Sequence, residues 1–195
     1  MNRMCRLALA FCAGCPLPAR AQNTAPPEPV VLVGGLSFGV GDTRFRPEGF
    51  IVESAGLAEP RAVPAHESGL AKTAFFGVQF KRRFAIVFDS DNSGAGDSRF
   101  SSRFMTIGAR YRPASTIWLE GKAGLGSLRD QPDSDSRAIR LRQGLALGAA
   151  AGIEIVRLGF FSLDLHARIS TAEYGQLRVT RTAILLGYNV ALPLP

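Results

Sequence analysis

Beyond its first 15 residues the sequence contains no cysteine, since all three that it has are Cys5, Cys12 and Cys15. A chain without later cysteines cannot build a disulfide framework, a cysteine metal site or a thiol nucleophile there. The chain also has no long basic run. Its 23 Lys and Arg residues outnumber 16 Asp and Glu, but they are scattered, and the longest basic run is Lys81-Arg82-Arg83. This pattern argues against a nucleic-acid-binding surface, in which basic residues cluster.

The sequence also has no hydrophobic stretch of about 20 residues, the length that a membrane-spanning helix needs. The stretch 144–154 reads Gly-Leu-Ala-Leu-Gly-Ala-Ala-Ala-Gly-Ile-Glu. Its three glycines, spaced by four, would suit the contact face of a membrane helix. However, Leu, Ala and Ile occupy its odd positions, and very small residues occupy its even positions until Glu154. Since Arg142 and Arg157 flank the stretch, it is too short for such a helix. Its length and its alternation match a membrane strand of about 9–11 residues.

The first 29 residues have the pattern of an export signal and a linker. Residues 1–21 combine two early arginines, a short apolar core and the cleavage pattern Ala19-Arg20-Ala21, which predicts a secretory signal peptide. A lipoprotein signal, with lipid attached to Cys15, is the alternative. Residues 22–29, with three prolines, form a linker. The remaining domain is 30–192.

Apolar alternating segments recur from residue 30 onward, with turn-rich stretches between them. The eight segments are 30–41, 70–80, 84–89, 103–112, 116–127, 139–155, 159–170 and 178–191. The connections alternate between long ones (42–69, 90–102, 128–138) and tight ones (81–83, 113–115, 156–158), and 171–177 is intermediate. An up-and-down barrel with an even number of strands predicts this alternation, with long loops at one rim and short turns at the other.

The apolar side chains of these segments line up on one face, and this apolar set contains no charged residue. Its members include Leu36, Phe38, Phe76, Phe88, Ile107, Leu119, Leu165, Ile184 and Leu186. A charge on the lipid face of a membrane barrel costs about 2–4 kcal/mol near the midplane, whereas a soluble barrel keeps its apolar residues inside. The charge-free face therefore predicts an all-β, eight-stranded antiparallel transmembrane barrel. Phe75, Phe104 and Trp118 fall on the other face, so either they fill the lumen or a bulge shifts the register.

The opposite face mixes small residues with charges. An eight-stranded barrel is just wide enough to be filled by side chains, so these charges must meet one another. We predict an ion-pair network in the lumen. Its members are Arg110, Glu120, Lys122, Glu154, Asp164, His166, Arg168 and Arg181. The three glycines of 144–154 would give these larger side chains room.

The signal peptide, the eight strands and turns such as Lys81-Arg82-Arg83 and Arg112-Pro113-Ala114 resemble the small bacterial outer-membrane barrels of the OmpA, OmpX and Ail type. The glycine-bearing segments 119–126 and 148–154 are similar to strands of that class. The resemblance implies export to the cell outer membrane, contact with its lipid and lipopolysaccharide, and a monomer. Members of this class usually end on an aromatic residue, whereas this chain ends in Pro193-Leu-Pro195.

Three patterns suggest chemistry. Asp164, His166 and Ser170 share a face, which suggests a hydrolase. However, residues four apart on a strand lie about 13 Å apart, and the His-x-Ser-Asn motif of the lipid A deacylase barrel is absent. Asp89-Ser-Asp-Asn-Ser-Gly94 resembles the start of a calcium loop, yet Phe100 stands where a bidentate Glu is needed. Calcium binding by loops 90–100 and 128–138 stays open. The glycines of 34–41 lack the Gly-Lys-Ser/Thr of a phosphate loop.

We therefore assign no catalytic, cofactor-binding or metal-ligating residue. The sequence predicts a non-enzymatic outer-membrane protein with a structural or surface-interaction role, without nucleic acid as a partner. A surface ligand would meet loop 42–69, the longest. An envelope-lipid hydrolase and a narrow conduit for small solutes or ions are the alternatives.

Overall fold

The computed structural model describes residues 30–52, 61–81, 83–94, 100–130 and 139–194. The predicted signal peptide and linker lie outside these ranges. In the described part of the chain, no helix has the length and hydropathy needed to cross a membrane.

The described ranges form ten strands, and eight of them are long. A short pair, β2 (Ile51–Val52) and β3 (Arg61–Ala62), lies between the first two long strands. The long strands are β1 (Val31–Arg46), β4 (His66–Phe80), β5 (Phe84–Gly94), β6 (Phe100–Tyr111), β7 (Ile117–Asp130), β8 (Ile139–Leu158), β9 (Phe161–Tyr174) and β10 (Leu177–Pro193). They close into one antiparallel barrel in which each strand pairs with its sequence neighbours and β1 pairs with β10. The predicted eight-stranded up-and-down barrel is confirmed.

The strands are staggered around the barrel. A path along directly paired residues that starts at Gly41 returns to β1 at Val31, ten positions lower. It passes through Ala183, Arg168, Ala150, Glu120, Arg110, Ala85 and Gln79. A stagger of this kind tilts the strands by about 40° against the barrel axis. With only eight strands, the interior has room for side chains and little else.

The long strands extend further than the sequence predicted, and they do so at the rim with the long connections. β1 continues to Arg46 rather than ending at 41, and β5 continues to Gly94 rather than 89. Apolar alternation ends where the lipid ends, but the backbone pairing continues through polar residues such as Asp42 and Ser68. The predicted loop 42–69 is therefore shorter, since its two ends belong to β1 and β4.

The outer surface of the barrel is apolar across its middle. Large side chains of the predicted charge-free face are exposed on every strand, for example Phe76 at 64%, Ile107 at 59% and Leu186 at 52%. Water would be a poor solvent for a belt of this size, whereas lipid hydrocarbon is a good one. Closing the barrel also pairs the backbone amides that lipid cannot satisfy. The fold is thus that of a transmembrane barrel.

The alternate residues of each long strand point inward and form the inner surface of the barrel. Phe75, Phe104 and Trp118 are buried in the lumen, so they fill it, and the pairing is regular around them. Register shifts occur elsewhere, between Leu128 and Arg129 and between Glu154 and Val156. The bulge after Glu154 lies near the tight-turn rim, where strands commonly change direction.

The lipid-facing belt predicts a depth-dependent penalty for charge. Ile107→Arg places a charge near the middle of the belt and should cost about 2–4 kcal/mol of folding free energy, whereas Gln143→Arg, near the outer end of β8, should cost about 0–1 kcal/mol. Urea titration of folding into phospholipid vesicles, read by heat-modifiable gel migration, measures both. Equal penalties for the two variants would contradict the membrane orientation of the barrel.

Candidate functional site in the barrel lumen

Polar and charged side chains from five of the eight barrel strands meet inside the barrel. Because alternate residues of a strand point inward, each strand contributes side chains two residues apart. These inward residues are Asp89 and Asp91 (β5), Arg110 (β6), Glu120 and Lys122 (β7), Asp164, His166 and Arg168 (β9) and Arg181 (β10). None is more than 6% exposed.

Asp89 lies at the centre of this cluster. Both of its carboxylate oxygens accept hydrogen bonds from the guanidinium of Arg168, at 3.0 and 2.8 Å. Lys122 donates to the same carboxylate from its Nζ, 3.2 Å from Oδ1. Asp91, two residues further along β5, lies 2.7 Å from Arg181 Nη1 and 3.6 Å from Arg168 Nη1. Two carboxylates thus hold three cations from three other strands.

A second group of contacts lies towards the tight-turn rim. Arg110 donates two hydrogen bonds to Glu120 Oε2, at 3.0 and 2.8 Å. Its guanidinium also stacks over the rings of Phe75 and Trp118, with 4.3 and 4.1 Å to the ring centroids. Cation–π contacts of this kind gain strength when water is excluded. The two lumen aromatics therefore hold the arginine in place as well as filling space.

Asp164 collects three donors. His166 lies 2.8 Å away through Nδ1, Asn189 Nδ2 donates at 2.9 Å, and Trp118 Nε1 donates at 3.2 Å. The indole and imidazole rings are in contact, with 5.2 Å between their centroids. The buried carboxylates Asp89, Asp91, Glu120 and Asp164 equal in number the buried cations Arg110, Lys122, Arg168 and Arg181. These four negative and four positive side chains of the described lumen therefore balance one another.

Glu154 has different partners from the rest of the predicted set. It accepts hydrogen bonds from Arg112 at 3.1 Å and from Arg157 at 2.8 and 2.7 Å, all at the tight-turn rim. The structure thus brings together in the lumen Arg110, Glu120, Lys122, Asp164, His166, Arg168 and Arg181, and it places Glu154 in a separate cluster below them.

The sequence reasoning missed the two central carboxylates. The sequence favours a flexible acidic loop at 89–94 that resembles the start of a calcium loop, whereas the structure has these residues in β5, where Asp89 and Asp91 are paired with Arg168, Lys122 and Arg181. The alternation of β5 continues past 89, and this signal would have placed both residues on the inner face. Among the described residues, no group of three His, Cys, Asp or Glu is placed to hold a metal ion.

The glycines of β8 lie opposite the largest lumen side chains. Gly152 pairs with Trp118 and Gly148 pairs with Lys122 across the β7–β8 ladder. A Cβ atom added at Gly152 would overlap the Trp118 indole, and one at Gly148 would press on the Lys122 side chain. The small residues of this strand therefore leave room for the Trp118 indole and the Lys122 side chain.

An apolar plug closes the opposite end of the lumen. Its buried members are Phe45, Val63, Phe100, Phe104, Leu128, Ala146, Ala172, Tyr174, Leu177 and Val179. Val63 comes from the connection between β1 and β4, and its N–H donates to the Phe50 carbonyl, 2.9 Å away. The described part of this connection therefore contributes Val63 to the plug, with Phe50 packed against it.

At the tight-turn rim, the cavity near Arg110, Arg112 and Asn189 measures about 30 Å³. A volume of that size holds one or two water molecules. Asp164 and His166 are in contact, but Ser170 lies four residues further along β9, roughly 13 Å away on the strand geometry. Ser170 Oγ and His166 Nε2 have no hydrogen-bond partner within the described ranges. The three residues therefore do not form a triad.

Comparison with known proteins identifies the fold. No protein-family model and no curated protein matches the sequence. Among solved structures, the neisserial surface protein A matches with a TM-score of 0.60 and 13% identity, over 82% of this chain and 96% of that one. Ail of Yersinia pestis, solved with the heparin analogue sucrose octasulfate, matches with a TM-score of 0.50 and 16% identity, over 81% and 98%. The chain has the fold of the small outer-membrane barrels that its sequence resembles.

The central carboxylate generates a prediction. Asp89→Asn leaves Arg168 and Lys122 buried without their shared counter-charge, and it should destabilise the folded barrel by about 3–5 kcal/mol. Glu173→Gln breaks an exposed pair with Arg178 and should cost no more than about 1 kcal/mol. Urea unfolding in phospholipid vesicles compares the two. If Glu173→Gln lowered the unfolding free energy as much as Asp89→Asn, the lumen network would contribute no more to stability than an exposed ion pair, and the prediction would be wrong.

Proposed function

We propose that this chain is a non-enzymatic integral protein of the bacterial outer membrane, exported by the signal peptide 1–21 and monomeric in the membrane. Lipid and lipopolysaccharide surround its barrel. Its role is structural or a surface interaction, exerted through the connections at the extracellular rim. The region 42–69 is the longest of these and provides the first surface for a ligand.

The filled lumen is the observation that carries this proposal. Buried ion pairs occupy the middle of the barrel, an apolar plug closes one end, and a cavity of about 30 Å³ is left near the other. A conduit needs a continuous water-filled path, and an enzyme needs a pocket that its substrate can enter. The paired charges and the plug leave little room for either in the described lumen, which favours the outer rim as the part of the molecule that acts.

The two rims differ in the way that a protein inserted from the periplasm requires. The tight connections after β4, β6 and β8 share one end of the barrel with Val31 and Pro193. The other end has the connection between β1 and β4, the eight residues between β7 and β8, the two-residue β9–β10 turn, and the exposed pairs Arg44–Asp42 and Arg178–Glu173. Short periplasmic turns and long extracellular loops are the rule for barrels of this type.

The hydrolase alternative finds less support, because it would depend on Asp164, His166 and Ser170, which are buried and do not form a triad. In favour of a surface role, a structure of Ail, the attachment invasion locus protein, holds a heparin analogue. We propose by analogy that the extracellular rim of this chain is its contact surface, with the binding partner set by its own loop residues.

Cysteine labelling tests the location and the orientation together. Since the chain left after signal cleavage has no cysteine, Gln176→Cys at the β9–β10 turn and Ala114→Cys at the β6–β7 turn each provide a single thiol. A membrane-impermeant maleimide should label the thiol at 176 on intact cells, and the thiol at 114 only after the cells are lysed. Labelling of the thiol at 114 on intact cells would overturn the orientation. An unlabelled thiol at 176 in a folded barrel would overturn the location.

A further inference from the structure

A polar row interrupts the apolar outer surface on three neighbouring strands. Lys72 of β4 is paired directly with Asn92 of β5, and Asn92 is paired directly with Arg103 of β6. All three side chains lie on the outer face, where Lys72 and Asn92 are exposed and Arg103 is half-buried. Phe76 and Ile107 lie on the same face of β4 and β6, towards the periplasmic rim.

Lys72 lies inside the lipid-facing belt rather than beyond it. It is eight residues from Phe80, at the periplasmic end of β4. On a strand tilted by about 40°, that distance corresponds to roughly 20 Å of height in an apolar belt about 25 Å tall. Its cross-strand partner on β1 is Phe38, and Leu70 lies beyond it towards the outer rim. Both apolar side chains are exposed to the surroundings of the barrel.

Within the described residues, the two cations of this row have no carboxylate partner of the kind that comparable rim residues have. At the outer rim, Arg44 lies 3.1 Å from Asp42 and Arg178 lies 2.6 Å from Glu173. No carboxylate of the described chain pairs with Lys72 or Arg103. Arg103 Nε makes one long hydrogen bond, 3.4 Å, to the Ser90 hydroxyl. A cation at this depth needs either the water above the lipid or an anion beside it.

The spacing of the row suits a single anionic group. Residues two strands apart have Cα atoms about 10 Å apart, and Lys and Arg side chains are each long enough to reach over the residue between them. That residue is Asn92, whose carboxamide adds a neutral donor. Two cations match the charge of a phosphate monoester, about −1.5 to −2 at pH 7, better than the single charge of a phosphodiester.

We propose that the Lys72–Asn92–Arg103 row binds the phosphate monoester of an outer-leaflet glycolipid, the kind of headgroup that lipopolysaccharide carries. The phosphate rests against the outer edge of the belt on β4 to β6, and the acyl chains lie along the apolar surface below it. This site deepens the proposed function, because it rests on the outer-membrane location and names the part of the barrel that meets the lipid.

Binding to the purified, folded protein in detergent tests the site. The probes are bisphosphorylated lipid A, the same lipid after enzymatic removal of its phosphates, and phosphatidylglycerol, which carries only a phosphodiester. Native mass spectrometry reports the bound fraction. The wild-type chain should bind lipid A at least about tenfold more tightly than either other probe, since a charge-assisted hydrogen bond contributes a factor of that size.

The variants separate a built site from general positive charge. Lys72→Gln and Arg103→Gln should each lower lipid A affinity by about tenfold, and Lys72→Arg should keep most of it. Arg178→Gln, at the same rim but already paired with Glu173, should leave the affinity unchanged. Heat-modifiable migration checks that every variant is folded.

Three outcomes would overturn the site: equal binding of lipid A and phosphatidylglycerol, an unchanged Lys72→Gln/Arg103→Gln double variant, or an Arg178→Gln variant that loses as much affinity as Lys72→Gln. Because binding is measured in detergent, it does not depend on where the protein resides in the cell. Loss of the site together with surface labelling at position 176 would leave the proposed function standing. Binding without that labelling would overturn the location alone.

Discussion

Every backbone amide that enters lipid hydrocarbon must find its hydrogen-bond partner within the protein, and the rest of this structure depends on that requirement. Strands satisfy it only by closing, and this chain closes with eight strands and a stagger of ten residues. The resulting lumen is narrow. Any side chain that points inward must therefore pack, and any charge that points inward must find a counter-charge, because too little water enters to solvate it.

The lumen meets the packing requirement in part by matching large and small residues across the β7–β8 ladder. Trp118 and Lys122 lie opposite Gly152 and Gly148, so the bulk of β7 occupies the space that β8 leaves empty. Opposite charges also meet across the lumen, where the Asp89 carboxylate lies between Arg168 and Lys122. A buried ion pair adds little net stability compared with apolar packing, but removing one partner is costly. The network therefore favours one arrangement of the strands over alternatives that separate the pairs.

Much of this architecture could be read from the sequence because the strand period of two separates lipid-facing from lumen-facing residues. The apolar face, from Leu36 to Leu186, identified the barrel and its orientation to lipid, and Lys72 and Arg103 are charged residues on that same face. Strand ends could not be read, since polar pairs such as Asp42 and Ser68 continue the ladder without an apolar signal. Partner choice could not be read either. Glu154 pairs with Arg112 and Arg157 because a bulge and a turn bring them together, and no local pattern encodes that distance.

The paired charges and the apolar plug limit the space for a path through the described lumen, and this limit supports the proposed roles of the extracellular rim and the lipid-facing row. Single-channel recording of the purified protein in planar lipid bilayers tests the limit most directly. The ion-pair network and the apolar plug predict that the folded barrel carries no large, steady current at moderate voltage. Steady openings of large conductance would show a continuous water-filled path and would contradict the account.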